Sequence, residues 1–407
     1  MSNGRPVPPV ILTFIGSYLP GYKAGGPIRT LASMVDRLGD ELDFRIVALD
    51  RDLGDTAAFP DVAVNKWNPI GKAQVFYRSP GGAGWHAMLA SLKSIDYDLI
   101  YLNSFFSTDA CLRPLLYQRM GKLRNRPVLL APRGEFSPGA LALKPIKKRT
   151  FLELARAVSL HAGTVFQASS EHEAADIRRV MGTTRAASAV KISIACDLSG
   201  SPSLGIDRFA RRREGEPLKA VFLSRISPKK NLAGAISMLA QVSCPVTYDI
   251  YGPIEDQAYW AKCLELAAAL PAHVAVRYRG ELRPEAVETV LSAFDFFFLP
   301  TLGENYGHVI REALSAGLPV LISDQTPWRG LEKTGAGADL PLAEPEAFST
   351  WIETFSLRTS AEKQSMRDAA RRLGNDPVTA ERNLQANREM FLAALSHPTA
   401  ARRSLRG

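Results

Sequence analysis

The residues of this chain whose types and spacing could do chemistry cluster in its second half. Glu304 and Glu312 stand eight positions apart. The first lies in the polar run Thr301-Leu302-Gly303-Glu304-Asn305-Tyr306-Gly307-His308, and the second lies in a stretch where Val309, Ile310, Ala313 and Leu314 recur at helical spacing. At the start of that helix the backbone N–H groups of Tyr306, Gly307 and His308 suit a phosphate, and Gly307 lets a ligand approach the backbone closely. Paired carboxylates could also serve a hydrolase, but there they must flank the scissile bond, whereas these two lie on one side of one unit. The structural alternative makes Glu304 a helix-start carboxylate favoured by the macrodipole and Glu312 a surface residue.

A second constellation is cationic. Arg225 and Lys230 are five positions apart in Ser224-Arg225-Ile226-Ser227-Pro228-Lys229-Lys230-Asn231, between an apolar run at 220–223 and a helical pattern at 232–242. A strand-end Arg and a helix-start Lys bind an anion through charge and backbone donors together. Lys229 fits the same role one position off, and a solvated basic turn is the structural alternative. Near the start of the chain, the loop Gly16 to Gly25-Gly26-Pro27 joins an apolar run at 10–15 to a helical face of Ile28, Leu31, Met34, Val35 and Leu38. It is not a P-loop, because Tyr22, Lys23 and Ala24 follow Gly21 where the nucleotide-binding Lys and hydroxyl residue would stand. A bare tight turn is the alternative there. Arg133 and Glu135, in the polar loop after the apolar run at 128–130, are further site candidates, with a salt bridge between them as the structural alternative.

These constellations are positioned by a repeating grammar of apolar run, polar loop and helix. Runs at 10–15, 44–49, 73–77, 99–102, 128–130, 165–167 and 190–194, then at 220–223, 246–251, 274–278 and 296–299, alternate with helical patterns. That alternation predicts α/β folding on parallel sheets with helices on both faces, where ligands bind outside the carboxyl ends of the strands. Gly317 and Pro319 end the helix that carries Glu312. Between 197 and 213 the text turns Ser, Gly, Pro and Arg rich, which marks a linker. The expected organisation is two Rossmann-like doubly wound parallel-sheet domains, 1–200 and 201–377, with helical signals from about 378 to 407.

Composition bounds the reading. The chain has 407 residues, 46% hydrophobic and 22% charged, with a net charge of +9, as expected of a soluble globular protein of two or three domains with a polyanionic neighbour. No apolar run reaches the roughly 18 residues of a membrane span, and the run at 10–15 lacks a cleavage pattern, so it reads as a buried strand rather than a signal peptide. The cysteines Cys111, Cys196, Cys244 and Cys263 form no Cys-x-x-Cys, and the chain is expected to be cytoplasmic. The segment 141–158 mixes Lys144, Lys147, Lys148, Arg149 and Arg156 with Leu141, Leu143, Ile146, Phe151, Leu152 and Leu154. Such a helix suits an anionic membrane surface, peripherally on the inner face, and a solvated basic face is the alternative. A nucleic-acid binder is disfavoured because the basic residues are spread and not interleaved with aromatics. A nicotinamide dehydrogenase is disfavoured because no Gly-x-Gly-x-x-Gly follows an early strand.

Glu-x7-Glu, after an apolar strand ending in Pro300 and running into Ala313-x-Ser-Ala-Gly317-x-Pro319-Val320, resembles the donor-sugar motif of retaining glycosyltransferases with the GT-B fold, the group 1 (family four) class. The resemblance implies two domains facing across a cleft, with the final helix crossing back onto the first. It implies that Arg225 and Lys230 grip the donor pyrophosphate, that Glu304 contacts the transferred sugar and that Glu312 holds the ribose. Gly25 and Gly26 would approach the donor phosphates, and Gly280 and Glu281 would lie near the nucleobase. The implied donor site then also takes in Asn305, Tyr306, Gly307 and His308, with Glu304, Arg225 and Lys230 catalytic and Arg133 and Glu135 on the acceptor side. One departure is the Glu304-Asn305-Tyr306-Gly307 sequence in place of the commoner Glu-Gly-Phe-Gly, which narrows the sugar pocket. The implied reaction takes a sugar from a UDP- or GDP-sugar co-substrate to a glycan or lipid-linked acceptor hydroxyl with retention, without metal, cofactor or nucleic acid. An epimerase or phosphorylase on the same fold is the alternative.

Overall fold

The computed structural model describes residues 7–142, 145–182, 190–198 and 216–398. The chain divides into two compact units, residues 1–200 with 380–407, and residues 201–379. Most of the linker expected at 197–213 lies outside the described residues.

In the first unit eight strands share a sheet: β1 (Val10–Phe14), β2 (Asp43–Leu49), β3 (Trp67–Ile70), β4 (Ala73–Arg78), β5 (Leu99–Asn103), β6 (Val128–Ala131), β7 (Thr164–Ala168) and β8 (Lys191–Ile194). Their order is β3-β4-β2-β1-β5-β6-β7-β8. The central strands are near-continuous apolar text, as burial on both faces demands. The sheet is parallel, as expected, except at one edge, where β3, a strand the sequence reading did not place, pairs antiparallel with β4. Pro69 within β3 masked it, and an edge is where a strand tolerates a residue that cannot donate to the ladder. The helix Gly26–Leu38 buries Ile28, Leu31, Met34, Val35 and Leu38 against the sheet, the face its spacing predicted.

The C-terminal helix Pro377–Leu395 packs on this unit through Phe391, whose ring meets Phe44 and Tyr101 edge-on at 5.8 and 5.4 Å. Arg388 adds a two-pronged pair with Glu41 at 2.7 and 2.8 Å. The basic segment expected to be helical over 141–158 is helical over Pro138–Ala142 and Pro145–Ala157. Leu143 and Lys144 lie outside the described residues.

The second unit carries β9 (Leu218–Leu223), β10 (Val246–Tyr251), β11 (Val274–Gly280), β12 (Phe296–Leu299), β13 (Val320–Ser323) and β14 (Gly337–Leu340) in the order β11-β10-β9-β12-β13-β14, all parallel. This is a doubly wound sheet, and the order in which successive strands are added reverses between β9 and β12, the switch point where such sheets bind ligands. The aromatic strand β12 is wholly buried at the sheet centre. Strand β14 and the helices Pro345–Leu357 and Ser360–Gly374 are present beyond those the sequence reading placed. Among the described residues, no helix is long and apolar enough to cross a membrane.

Candidate functional site

At the switch point of the second sheet, three loops are tied into one platform. After β9 the chain makes a short turn, Pro228–Lys230, and Asn231 adopts the left-handed conformation at φ 55° that Asn tolerates better than most residues. The Asn231 amide donates to the Pro300 carbonyl at 2.8 Å, and the Lys229 carbonyl accepts from Leu302 N at 2.9 Å and Thr301 Oγ1 at 3.1 Å. From the loop after β13, Gln325 O accepts from Glu304 N at 3.0 Å. The platform sets Lys230 Nζ 2.5 Å from Glu304 Oε1, with the two side chains 12% and 11% exposed. Lys230 therefore faces the glutamate.

Gly307 caps the helix His308–Ser315 at φ 78°, where a Cβ would come within 2.9 Å of Ile310 Cδ1, so only glycine makes this turn without strain. Tyr306 is held through its carbonyl by Trp328 Nε1 at 2.8 Å, and its ring packs against His308 at 4.8 Å. Asn305 and Glu312 are half-buried, Glu312 just over one turn into the helix on the same loop-and-helix unit as Glu304.

Arg225 has a carboxylate partner of its own. Its guanidinium donates to Glu255 Oε1 at 2.9 Å, in a pair with side chains 36% and 44% exposed. The loop that carries Glu255 is fastened to the end of β9, with Ile226 N donating to Pro253 O at 2.9 Å and Glu255 N to Ile226 O at 3.1 Å. At the far strand, Gly280 turns at φ 83° and accepts from Gly252 N at 2.9 Å, leaving Glu281 exposed on the rim. The structure thus brings Lys230 and Glu304 into contact and gives Arg225 a separate carboxylate. Glu255, Asn231 and Trp328 were missed as site residues. The Gly252-Pro253-Ile254-Glu255-Asp256 loop after an apolar strand was the available signal for Glu255. Asn231 and Trp328 act through backbone contacts that spacing does not encode.

In the first unit Gly25, at φ 72°, caps the helix that Gly26 begins. The loop ahead of it is held by the Asp52 carboxylate, which accepts from Tyr22 N at 2.7 Å and Lys23 N at 3.0 Å. Arg133 and Glu135 do not pair with each other. Arg133, at φ 56°, forms a buried pair with Asp197 at 2.5 Å and donates to Asn103 Oδ1 at 2.8 Å and the Tyr101 hydroxyl at 2.7 Å. Glu135 accepts from Ser104 Oγ and Phe105 N, both at 2.6 Å, and from Phe106 N at 3.0 Å. The salt bridge offered as their structural alternative is replaced by two separate networks, because Arg133 turns inward toward the strands while Glu135 caps the loop after β5. Burial pushes the nearby Glu173 carboxyl up, against hydrogen bonds from Ser169 and Gly134 that favour its charged form.

Residues 205–372 match the family model described as glycosyl transferases, group 1. The putative glycosyltransferase EpsF of Bacillus subtilis (strain 168) is 32% identical over 107 residues, which cover 25% of this chain and 26% of that protein. The chain thus spans about a quarter of the length of the curated relative it matches. Two solved structures share the fold along nearly their whole length. Anabaena HepE in complex with UDP-glucose superposes with a TM-score of 0.67 at 16% identity, covering 94% of this chain and 99% of that one. Sucrose-phosphate synthase from Thermosynechococcus elongatus does so with 0.66 at 16% identity, covering 95% and 100%.

Proposed function

We propose that this chain, whose second unit is a group 1 glycosyltransferase domain within a two-domain GT-B fold, moves a sugar from a nucleotide diphosphate sugar to an acceptor hydroxyl with retention at the anomeric carbon. The observation that carries the reading is the Lys230–Glu304 contact at the switch point of the second sheet. A cation and a carboxylate held side by side at that edge suit a sugar diphosphate, whose charge meets the ammonium while its hydroxyls meet the carboxylate. In the reaction the bond from the anomeric carbon to the β-phosphate oxygen breaks and the acceptor oxygen bonds on the same face. The acceptor proton passes to the departing phosphate oxygen. Lys230, Arg225 and the N–H groups at the Gly307 helix start stabilise the charge that grows there, which removes the need for a metal.

UDP is the first nucleotide to test, since the HepE structure holds UDP-glucose, with GDP as the second. The acceptor is a glycan or a lipid-linked saccharide. An anionic membrane surface is the proposed neighbour of the helix Pro145–Ala157, whose Ile146 and Leu154 are 83% and 64% exposed beside Lys147 and Arg149. The test is nucleotide release from UDP-glucose and GDP-mannose, followed with and without EDTA, with a thermal-shift panel of UDP-, GDP- and ADP-sugars beside it. Release by wild type, its loss in Lys230→Ala and indifference to EDTA are the expected results. Absence of both release and thermal shift with every nucleotide sugar, or reversible loss of release in EDTA, would contradict the reading.

A further inference from the structure

Away from the residues discussed so far, the first unit holds a second charged cluster on its sheet edge. Arg78, the last residue of β4, is only 3% exposed, and burial lowers the pKa of its guanidinium. Its partner is Asp109, which lies in the five-residue turn Thr108–Leu112 after β5, and the same carboxylate pairs with Arg113 at 3.3 Å. Both guanidinium carbons lie over the Trp85 ring, at 4.7 and 5.1 Å from its centroid. Two like charges therefore share one aromatic ring and one carboxylate.

Arg78, Arg113 and Asp109 together carry one positive charge in excess, and Asp50, which also acts on Arg78, is itself paired with Arg51. Arg78 is desolvated and bound closely to Asp109, so the excess resides on Arg113, whose side chain is 35% exposed. An exposed arginine ordinarily loses much rotamer freedom on binding, but this one is already held by ring and carboxylate, so less freedom remains to be lost. The five-residue turn that carries Asp109 has π-type hydrogen bonding, a geometry found often at functional sites. Strands β4 and β5 both end at this edge, the carboxyl edge where α/β sheets bind ligands.

We propose that Arg113, braced by Asp109 and Arg78 on Trp85, binds an anionic group on the acceptor, either the phosphate of a sugar phosphate or the carboxylate of a uronic acid. The proposal rests on the first unit receiving the acceptor, as the glycosyltransferase reading has it. Its chemistry is a planar fork meeting two oxygens of one anion, which Lys reproduces only as a point charge.

Calorimetric titration of glucose 1-phosphate, glucuronate and glucose into the full chain at saturating UDP tests it, because UDP then fills the donor site and removes competition there. Wild type is expected to bind at least one of the two anionic sugars and to bind glucose at least tenfold more weakly. Arg113→Gln should weaken the anion tenfold or more, Arg113→Lys should recover part of the loss, and UDP affinity should stay unchanged in both. Arg113→Gln leaves the Arg78–Asp109 pair in place, and an unchanged Tm confirms the fold. Stronger binding of glucose 1-phosphate identifies a phosphate acceptor, and stronger binding of glucuronate identifies an acidic sugar. Equal affinity in wild type and Arg113→Gln, or no binding of either anion, overturns the proposal. Failure of UDP to bind wild type would count against the donor reading instead, and the same titration without UDP then judges the cluster by itself.

Discussion

The Lys230–Glu304 pair, about one-tenth exposed on each side, has two consequences at the scale of single residues. Removing one partner leaves the other charge largely desolvated and unpaired, so Lys230→Ala should destabilise the fold by about 3 kcal/mol. The double variant Lys230→Met with Glu304→Gln should cost less than the two single changes added together, measured by urea unfolding. In turnover the two glutamates should separate. Glu304→Gln should lower kcat about tenfold or more, since a charge-assisted hydrogen bond is worth about 1.5 to 3 kcal/mol, whereas Glu312→Gln should mostly raise the donor KM. Equal kcat losses with unchanged KM in both variants would refute that division. The Arg225 and Lys230 spacing was legible because it is local along the chain, with strand end and helix start fixed by adjacent text. The Arg225–Glu255 contact was not, because it joins neighbouring strands 30 residues apart and no periodicity encodes which strands become neighbours.

At the scale of elements, strands that read as apolar runs were found within a residue or two, because a buried parallel strand is written as continuous apolar text. The elements that escaped are marginal in that text: β3 contains Pro69, and β14 opens on Gly337 at φ 143°, where a Cβ would stand 1.9 Å from Val320 O. A pH response is built into the packing around the helix Pro145–Ala157. His161 stacks on Phe105 at 4.4 Å, Phe151 packs on the same ring at 5.7 Å, and burial, helped by Arg119, lowers the His161 pKa from 6.5 to about 4. Between those two values the unfolded chain binds the proton and the folded chain does not, so stability falls as pH drops from about 6.5 toward about 4. At pH 5 the loss from this group should be about 2 kcal/mol relative to pH 8. Urea unfolding at both pH values should show His161→Phe losing less on acidification than wild type. An identical loss in both would remove His161 as the cause.

At the scale of the whole molecule, the net charge of +9 asks for an anionic neighbour, and the cations divide between those held in largely buried ion pairs, such as Lys230 and Arg133, and those that face solvent. The bases of the helix Pro145–Ala157 divide in the same way. Lys148 Nζ turns back to the Ala140 carbonyl at 2.5 Å, while Lys147 and Arg149 are exposed beside Ile146. Replacing Lys147 and Arg149 by Gln and Ile146 by Ser should therefore cut sedimentation with phosphatidylserine vesicles, while Lys148→Gln should change it little. Unchanged sedimentation of the triple variant would dismiss the membrane contact. The central claim concerns the second unit, that the edge carrying Lys230 and Glu304 takes the diphosphate of a nucleotide sugar. Calorimetric titration of uridine and UDP, with guanosine and GDP alongside, into wild type and Lys230→Ala tests it most directly. The account predicts that wild type binds one diphosphate well above its nucleoside, and that Lys230→Ala loses about tenfold or more in diphosphate affinity while nucleoside affinity stays as it was. Diphosphate binding as tight in Lys230→Ala as in wild type would contradict it.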